Sequence, residues 1–92
     1  MEELEAIMTA KTGVFDADSV DTYGMSINML CTSCRFDKSM VYGEYICMIL
    51  MNEPTEVQIE PDTIDEIYLD LDGTITLEFN NGPPDLEIKY RD

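Results

Sequence analysis

Apolar and polar residues alternate along most of the second half of the chain, a pattern that predicts β-strands. Polar or charged side chains stand between the apolar ones, so one face of each strand can be buried while the other meets solvent. Turn-forming residues at 52–55, 61–62 and 80–84 separate the segments. The pattern predicts an antiparallel meander with one wet face. Its apolar positions are Val57, Ile59, Ile67, Leu69, Ile75, Leu77, Phe79, Leu86, Ile88 and Tyr90.

The register of the hairpin around Gly73 follows from the same pattern. A two-residue turn would place the apolar faces of its two strands on opposite sides. A three-residue loop, Leu71–Gly73, pairs Leu69 with Ile75 and puts Gly73 at the left-handed position of a type I turn with a bulge. Because burial of one face specifies register strongly, we predict the three-residue loop.

The first half of the chain predicts one helix. Leu4, Ile7 and Met8 follow an i, i+3, i+4 spacing, and glutamates fill the first turn of the segment. Acidic side chains are favourable at the start of a helix, where its dipole is positive. We therefore predict a short amphipathic helix over residues 2–11 that ends at Thr12 and Gly13.

The segments between this helix and the meander are less regular. We interpret residues 14–24 as an acidic loop, residues 25–29 as a strand and residues 31–39 as a polar, turn-rich segment. Residues 40–51 are mostly apolar and form either a buried strand or a buried helix, with β-branched residues favouring the strand. The prediction is one α+β domain over residues 1–92, with a short N-terminal helix packed on an antiparallel sheet of about five strands.

The charge of the chain is unusually negative. Twenty Asp and Glu residues face five Lys and Arg residues, for a formal net charge of −15, while 45% of the residues are hydrophobic. Small stable domains carry a net charge of roughly 2–8 in magnitude. Such a surface repels nucleic acids and anionic membranes, and its natural partner is a basic protein surface. The general surface acidity of halophile proteins is the alternative explanation.

The predicted register concentrates acidic residues on the wet face of the meander. Glu66 falls opposite Glu78, and Glu78 lies near Asp85 or Glu87 on the next strand. Directly opposed like charges destabilise a sheet, so we interpret this face as a surface kept for a basic partner. A second acidic patch is predicted in the loop before residue 25. The candidate contact residues are Glu66, Tyr68, Asp70, Glu78, Asp85 and Glu87, with Asp16, Asp18 and Asp21 in the second patch.

The segment Ile67–Thr74 resembles the nucleophile motif of the haloacid dehalogenase-like phosphatases, a hydrophobic strand followed by Asp-x-Asp-Gly-Thr. In that family the two aspartates act as nucleophile and acid/base beside Mg²⁺. Here too few residues follow Thr74 for the family's later motifs, and the next segment is a strand instead of a loop and a helical cap. The same Asp70 and Asp72 form only part of a calcium loop. We interpret the segment as a hairpin turn.

The remaining chemistry is sparse. Cys31 and Cys34 form one C-x₂-C pair, and Cys47 is the third thiol, so a four-ligand zinc site would need a carboxylate or a second chain. The chain has no histidine, which excludes Ser–His and Cys–His nucleophile pairs. There is no phosphate-binding glycine loop. We expect no catalytic activity, no metal and no cofactor.

These observations predict an acidic binding protein. The first hypothesis is an inhibitor that mimics DNA or RNA and occludes a basic nucleic-acid-binding protein; in charge and size the chain resembles phage-encoded anti-CRISPR and anti-restriction inhibitors, without a shared motif. The alternatives are an immunity or antitoxin protein that neutralises a basic toxin, and a small zinc- or calcium-binding domain. The N-terminus lacks the features of a signal peptide, and the odd cysteine count fits a reducing compartment. Both predict a cytoplasmic protein, in a bacterial host cell if phage-encoded, with no membrane contact.

Overall fold

A computed structural model describes residues 1–11, 13–20, 26–80, 82 and 84–91 of the protein. It confirms the α+β class, with one short helix and eight strands in two antiparallel sheets. The five-stranded sheet has the order β2-β1-β8-β7-β6, and the three-stranded sheet has the order β3-β4-β5. The elements are α1 (Glu2–Thr9), β1 (Phe15–Val20), β2 (Ser26–Cys31), β3 (Ser33–Lys38), β4 (Tyr45–Asn52), β5 (Thr55–Ile59), a 3-10 turn (Pro61–Thr63), β6 (Ile64–Leu69), β7 (Ile75–Phe79) and β8 (Asp85–Tyr90).

The helix α1 forms where the apolar spacing predicted it. Leu4 and Met8 are buried, and Glu2, Glu3 and Glu5 occupy the first turn, where carboxylates interact favourably with the helix dipole. Leu4 and Met8 join a core cluster that also draws on both sheets. The helix therefore covers the region where the two sheets meet.

The core lies between the facing sides of the two sheets. Ile75, Leu77 and Ile88 of the five-stranded sheet have no solvent exposure, and Met48 and Leu50 of the three-stranded sheet are equally buried. These side chains follow the two-residue period of their strands, which leaves the opposite side of the five-stranded sheet to polar residues. Burial of this apolar area is the main term that stabilises the fold.

The predicted register of the β6–β7 hairpin is confirmed. Leu69 pairs with Ile75 and Glu66 with Glu78. The turn is closed by the Gly73 N–H, which donates to the Asp70 carbonyl at 3.0 Å. Gly73 has a φ of +89°, a left-handed conformation that only glycine adopts at no steric cost. Local pattern and turn chemistry were sufficient here because the hairpin spans few residues.

Two segments predicted as loops are strands, and those predictions are wrong. Residues 15–20 form β1, in which Phe15 and Ala17 face the core while Asp16 and Asp18 face outward. Residues 33–38 form β3 directly after β2, and the Thr32 N–H donates to the Met51 carbonyl at 2.8 Å where the chain passes from one sheet to the other. Aspartate and serine are poor strand formers, but pairing on both sides of β1 outweighs that preference.

The apolar segment 40–51 is a strand only from Tyr45 onward. Met40, Val41 and Tyr42 lie in the turn before β4 and are 101%, 80% and 80% exposed. Two backbone hydrogen bonds hold this turn: the Ser39 N–H donates to the Glu44 carbonyl at 2.6 Å, and the Gly43 N–H donates to the Ser39 carbonyl at 2.9 Å. The Ser39 hydroxyl also accepts from the Val41 and Tyr42 N–H groups. The strand prediction is correct from Tyr45 onward and wrong for 40–42, and the predicted burial holds for 47–50.

The one helix in the described part of the chain, α1, has eight residues. No helix there is long and apolar enough to cross a membrane.

Candidate partner-binding face

The outer side of the five-stranded sheet, turned away from the core, collects carboxylates from four strands. Asp18 of β1 lies directly opposite Glu87 of β8, and Glu66 of β6 lies directly opposite Glu78 of β7. Side chains opposite one another in an antiparallel pair point to the same face. Glu87 in turn lies opposite Thr76 of β7, and Glu78 is two residues from Thr76 on the same side of that strand. We call this surface the acidic face, and its residues are Asp18, Glu66, Tyr68, Glu78, Asp85 and Glu87.

The acidic face is open to solvent. Glu66, Asp85 and Glu87 are exposed, and Asp18 and Glu78 are half-buried. Tyr68 is 46% exposed, and its hydroxyl donates to the Glu78 carboxylate at 3.5 Å. The negative charge of Glu78 raises the pKa of Tyr68 above its ordinary value. The phenol therefore stays protonated and presents an aromatic edge among the carboxylates.

The two acidic patches that were predicted as separate lie partly on one surface. Strand β1 lies between β2 and β8, so Asp18 joins Glu87 on one surface instead of standing in a distant loop. Asp16 lies on the same side of β1, opposite Lys89. Asp21 lies outside the described residues. The alternation of Phe15 and Ala17 with aspartates was the signal that could have identified β1.

One end of this side of the sheet is neutralised. The Arg91 guanidinium forms a bidentate pair with the Asp16 carboxylate: Nε donates to Oδ2 at 2.8 Å and Nη2 donates to Oδ1 at 2.9 Å. This contact lowers the pKa of Asp16 below its ordinary value. Lys89, opposite Asp16, lies 4.0 Å from Asp72. Asp16 is therefore already paired in the free protein and adds little to the surplus charge.

None of the five basic side chains forms a salt bridge with Asp18 or Glu87, although Lys89 lies on the same side of β8, two residues from Glu87. Besides Arg91 and Lys89, Arg35 contacts Asp37 at 2.8 Å and Lys38 contacts Glu5 at 2.9 Å. The fifth, Lys11, lies 5.6 Å from the centre of the Tyr90 ring. Within the described residues, no salt bridge reaches the carboxylates of the acidic face. Their negative charge is therefore left to solvent and to any partner.

The Asp-x-Asp-Gly-Thr segment is a hairpin turn, as its spacing predicted. Asp72 Oδ1 accepts a hydrogen bond from the Thr74 N–H at 3.0 Å, and this bond lowers the pKa of the Asp72 carboxyl. Asp70 is exposed at the end of β6, and its N–H donates to the Thr74 carbonyl at 2.9 Å. Asp72 therefore forms an Asx turn, in which a short acidic side chain accepts a hydrogen bond from the backbone two residues on.

Comparison with known proteins gave no match. Neither a protein-family model, nor a curated protein, nor a solved structure resembles the chain at a significant level.

Cys31 is buried and Cys34 half-buried, whereas the buried Cys47 contacts Asp37 and Gln58. Cys31 ends β2 and Cys34 lies in β3, on the two sides of the corner at Thr32. Burial raises the pKa of Cys31 to about 11 and that of Cys34 to about 12. Buried thiols of this kind are poor nucleophiles and poor metal ligands. Among the described residues, no group of three or more Cys, Asp or Glu side chains converges as a metal site.

Proposed function

We propose that this chain is an acidic binding protein, without catalytic activity, that inhibits a basic nucleic-acid-binding protein by occupying the surface where DNA or RNA would lie. The mode of action would resemble that of phage-encoded anti-CRISPR and anti-restriction inhibitors. One observation carries the proposal: Asp18, Glu87, Glu78 and Glu66 come from four neighbouring strands and share one exposed face, and no salt bridge within the described residues neutralises them.

The spacing of these carboxylates supports nucleic-acid mimicry. Side chains two residues apart on a strand repeat at roughly 6.6–6.8 Å, and neighbouring strands lie about 4.7–4.9 Å apart. Asp85 and Glu87 are such a pair along β8. A rigid sheet thus offers rows of fixed negative charges, comparable with the phosphates of a nucleic-acid backbone. Proteins that bind nucleic acid line their channels with Lys and Arg to neutralise such charges.

The acidic face also costs the free protein stability. Opposed like charges such as Glu66 and Glu78 destabilise a sheet, by a few tenths of a kcal/mol to about 1 kcal/mol for each pair. A face that needed only solubility would mix lysines with glutamates. Retaining the repulsion in the free protein is consistent with a partner whose cations relieve it on binding. Association with such a partner is steered by charge and weakens as salt rises.

Tyr68 supports a protein partner in particular. Its ring is half exposed at the edge of the acidic face, and its hydroxyl lies 3.5 Å from the Glu78 carboxylate. Aromatic side chains that are partly fixed before binding are frequent anchors in protein interfaces. We expect Tyr68 to pack against an apolar or cationic side chain beside the basic groove of the partner.

The test begins with capture of the partner from a bacterial lysate at low and at high salt. Affinity for the captured protein is then measured for the wild type and for the variant Glu66→Lys, Glu78→Lys, Glu87→Lys. The matched control, Glu44→Lys, Glu53→Lys, Asp62→Lys, changes the net charge equally at exposed sites off the acidic face. We expect the first variant to lose binding while remaining folded, and the control to retain most of it.

Two outcomes would contradict the proposal. Equal losses in the two variants would mean that only the net charge matters, and unchanged affinity in the first would mean that the acidic face is merely solvated. Occlusion is tested separately by adding duplex DNA or RNA, which must compete with the chain for the captured protein. A captured toxin that binds no nucleic acid would replace the inhibitor role with that of an immunity protein.

A further inference from the structure

A cleft opens between the two sheets along β5, away from the acidic face. Its volume is about 350 Å³, and its walls include Val57 and Ile59 from β5 with Phe79, Pro84 and Leu86 from the other sheet. Val57 is 40% exposed although it shares the core-facing side of β5 with the buried Ile59. Within the described residues, the core is thus incompletely covered beside β5.

Strand β5 is also an edge strand. In the three-stranded sheet β5 pairs with β4, and among the described residues no strand pairs with its other side. Its sequence, Thr-Glu-Val-Gln-Ile, contains no proline or lysine, and its pairing with β4 has no bulge. Proline, lysine and bulges are the usual means by which proteins protect a free edge. The edge of β5 is therefore regular enough to accept a further strand.

Carboxylates outnumber cations beside this edge, although Arg35 of β3, on the same outer side of the sheet, lies near enough to Glu56 for the two charges to interact. Glu56 and Gln58 lie on the side of β5 opposite to Val57 and Ile59, and Glu60 follows directly. All five basic side chains contact Asp37, Glu5, Asp72, Asp16 or the Tyr90 ring. In a strand added beside β5, successive side chains would point to opposite sides of the sheet. One would enter the apolar cleft, and the next would lie beside a carboxylate.

We propose that β5 binds an extended cationic peptide segment of another protein by strand addition. Alternate apolar side chains of the peptide enter the cleft beside Val57, and the intervening Lys or Arg side chains pair with Glu56 and Glu60. Backbone hydrogen bonds along the edge supply affinity, and the alternation supplies specificity. A second copy of this chain is a poor occupant, because it would bring another net charge of −15 against these glutamates. The inference uses a different surface from the acidic face and does not depend on it.

The probe is a fluorescein-labelled heptapeptide in which Lys and Val alternate, compared with a peptide of the same composition whose Lys and Val are grouped in blocks. Fluorescence anisotropy measures affinity, and amide hydrogen exchange reports protection of Thr55–Ile59. We expect the alternating peptide to bind at least about tenfold more tightly than the block peptide, since only it can satisfy both sides of the edge at once.

Two variants test the two halves of the site. Val57→Lys removes part of the apolar wall and adds a charge that repels the lysines of the peptide. We expect it to lower the affinity for the alternating peptide at least about tenfold. Its matched control is Val41→Lys, the same change at an exposed turn residue, which should leave affinity within about twofold. The variant Glu56→Lys, Glu60→Lys should instead reverse the preference toward a peptide of alternating Glu and Val.

Several results would overturn the inference. One is equal affinity for the alternating and block peptides, and another is no binding at millimolar peptide concentration. A third is protection from amide hydrogen exchange only outside β5. A concentration-dependent dimer that Val57→Lys dissociates would assign the edge to a second copy of the chain. The variant Glu66→Lys, Glu78→Lys, Glu87→Lys should keep its preference for the alternating peptide, so failure of the acidic-face proposal and failure of this one remain distinguishable.

Discussion

Asp18 lies directly opposite Glu87 in the pairing of β1 with β8. The two residues are 69 positions apart in the chain, yet they form one cross-strand pair of like charge. The Asn28 amide donates to Asp18 from β2, and Thr76 lies beyond Glu87 on β7. Polar neighbours thus flank the pair, but no cation neutralises it among the salt bridges of the described residues. This relationship makes the electrostatic cost of the acidic face measurable.

We predict that Asp18→Asn stabilises the free protein at low salt. The change removes the repulsion from Glu87 and keeps an oxygen that can accept from Asn28, so the free energy of unfolding should rise by a few tenths to about 1 kcal/mol. Urea denaturation measures it. The gain should fade in 1 M salt, where the screening length is only about 3 Å.

The matched control is Glu87→Gln, which should give a similar gain. Because either change alone removes the same repulsion, the double variant should gain less than the sum of the two single variants. Additive gains, or a gain that persists unchanged in high salt, would show that the two carboxylates do not interact.

The Asp16–Arg91 pair predicts an acid-sensitive contribution to stability. Arg91 lowers the pKa of Asp16 below its ordinary value of 3.8. A carboxyl whose pKa is lower in the folded state contributes stability above the ordinary pKa, and that stability is lost as pH falls through the lowered value. Arg91→Gln should therefore reduce the free energy of unfolding at pH 7 and have little effect once the pH is below both values.

The pKa of Asp16 is measured directly by an NMR titration of its carboxyl carbon. In the wild type the midpoint should lie below 3.8, and Arg91→Gln should move it up. Arg35→Gln, which removes a surface ion pair with Asp37, is the control and should leave the Asp16 midpoint in place. If the Asp16 midpoint were the same in the wild type and in Arg91→Gln, the contact would be refuted.

The cysteine environment predicts slow alkylation in the folded protein. The pKa of Cys31 is raised to about 11 from 9.0, so its thiolate fraction at pH 8 should fall about a hundredfold. Cys34, raised to about 12, should react more slowly still. Mass spectrometry after timed iodoacetamide treatment gives the rate at each site. A cysteine introduced at the exposed turn by Val41→Cys is the internal standard, and all sites should react alike in 6 M guanidinium. Rapid native labelling of Cys34 would contradict the burial.

The exposed turn residues Met40, Val41 and Tyr42 should contribute little to folding. Replacing all three by serine should change the free energy of unfolding by no more than about 0.5 kcal/mol, because they bury almost no surface. Leu77→Ala, at a fully buried position, should cost about 2–5 kcal/mol. Urea denaturation of both variants is the measurement. A loss above about 1 kcal/mol in the serine variant would mean that the turn packs against the domain.

Prediction from the sequence succeeded where structure is local. Residues 64–79 form a hairpin whose turn chemistry and apolar alternation lie within one short stretch, and both its register and the opposed Glu66 and Glu78 were correct. The helix α1 was likewise visible in the spacing of Leu4 and Met8. The segments 15–20 and 33–38 were misread because their acidic and small residues resemble loops, although the apolar residues within them alternate with period two.

By itself the sequence determined the net charge of −15, the α+β class and the order of acidic and apolar positions in each strand. It could not determine which strands are neighbours, because pairing between distant segments depends on how the whole chain buries its apolar faces. Tertiary structure placed β1 against β8, which brought Asp18 to Glu87 and matched Asp16 with Arg91. Among the described residues it also left β5 at an edge beside an open cleft, since a three-stranded sheet cannot cover a five-stranded sheet completely.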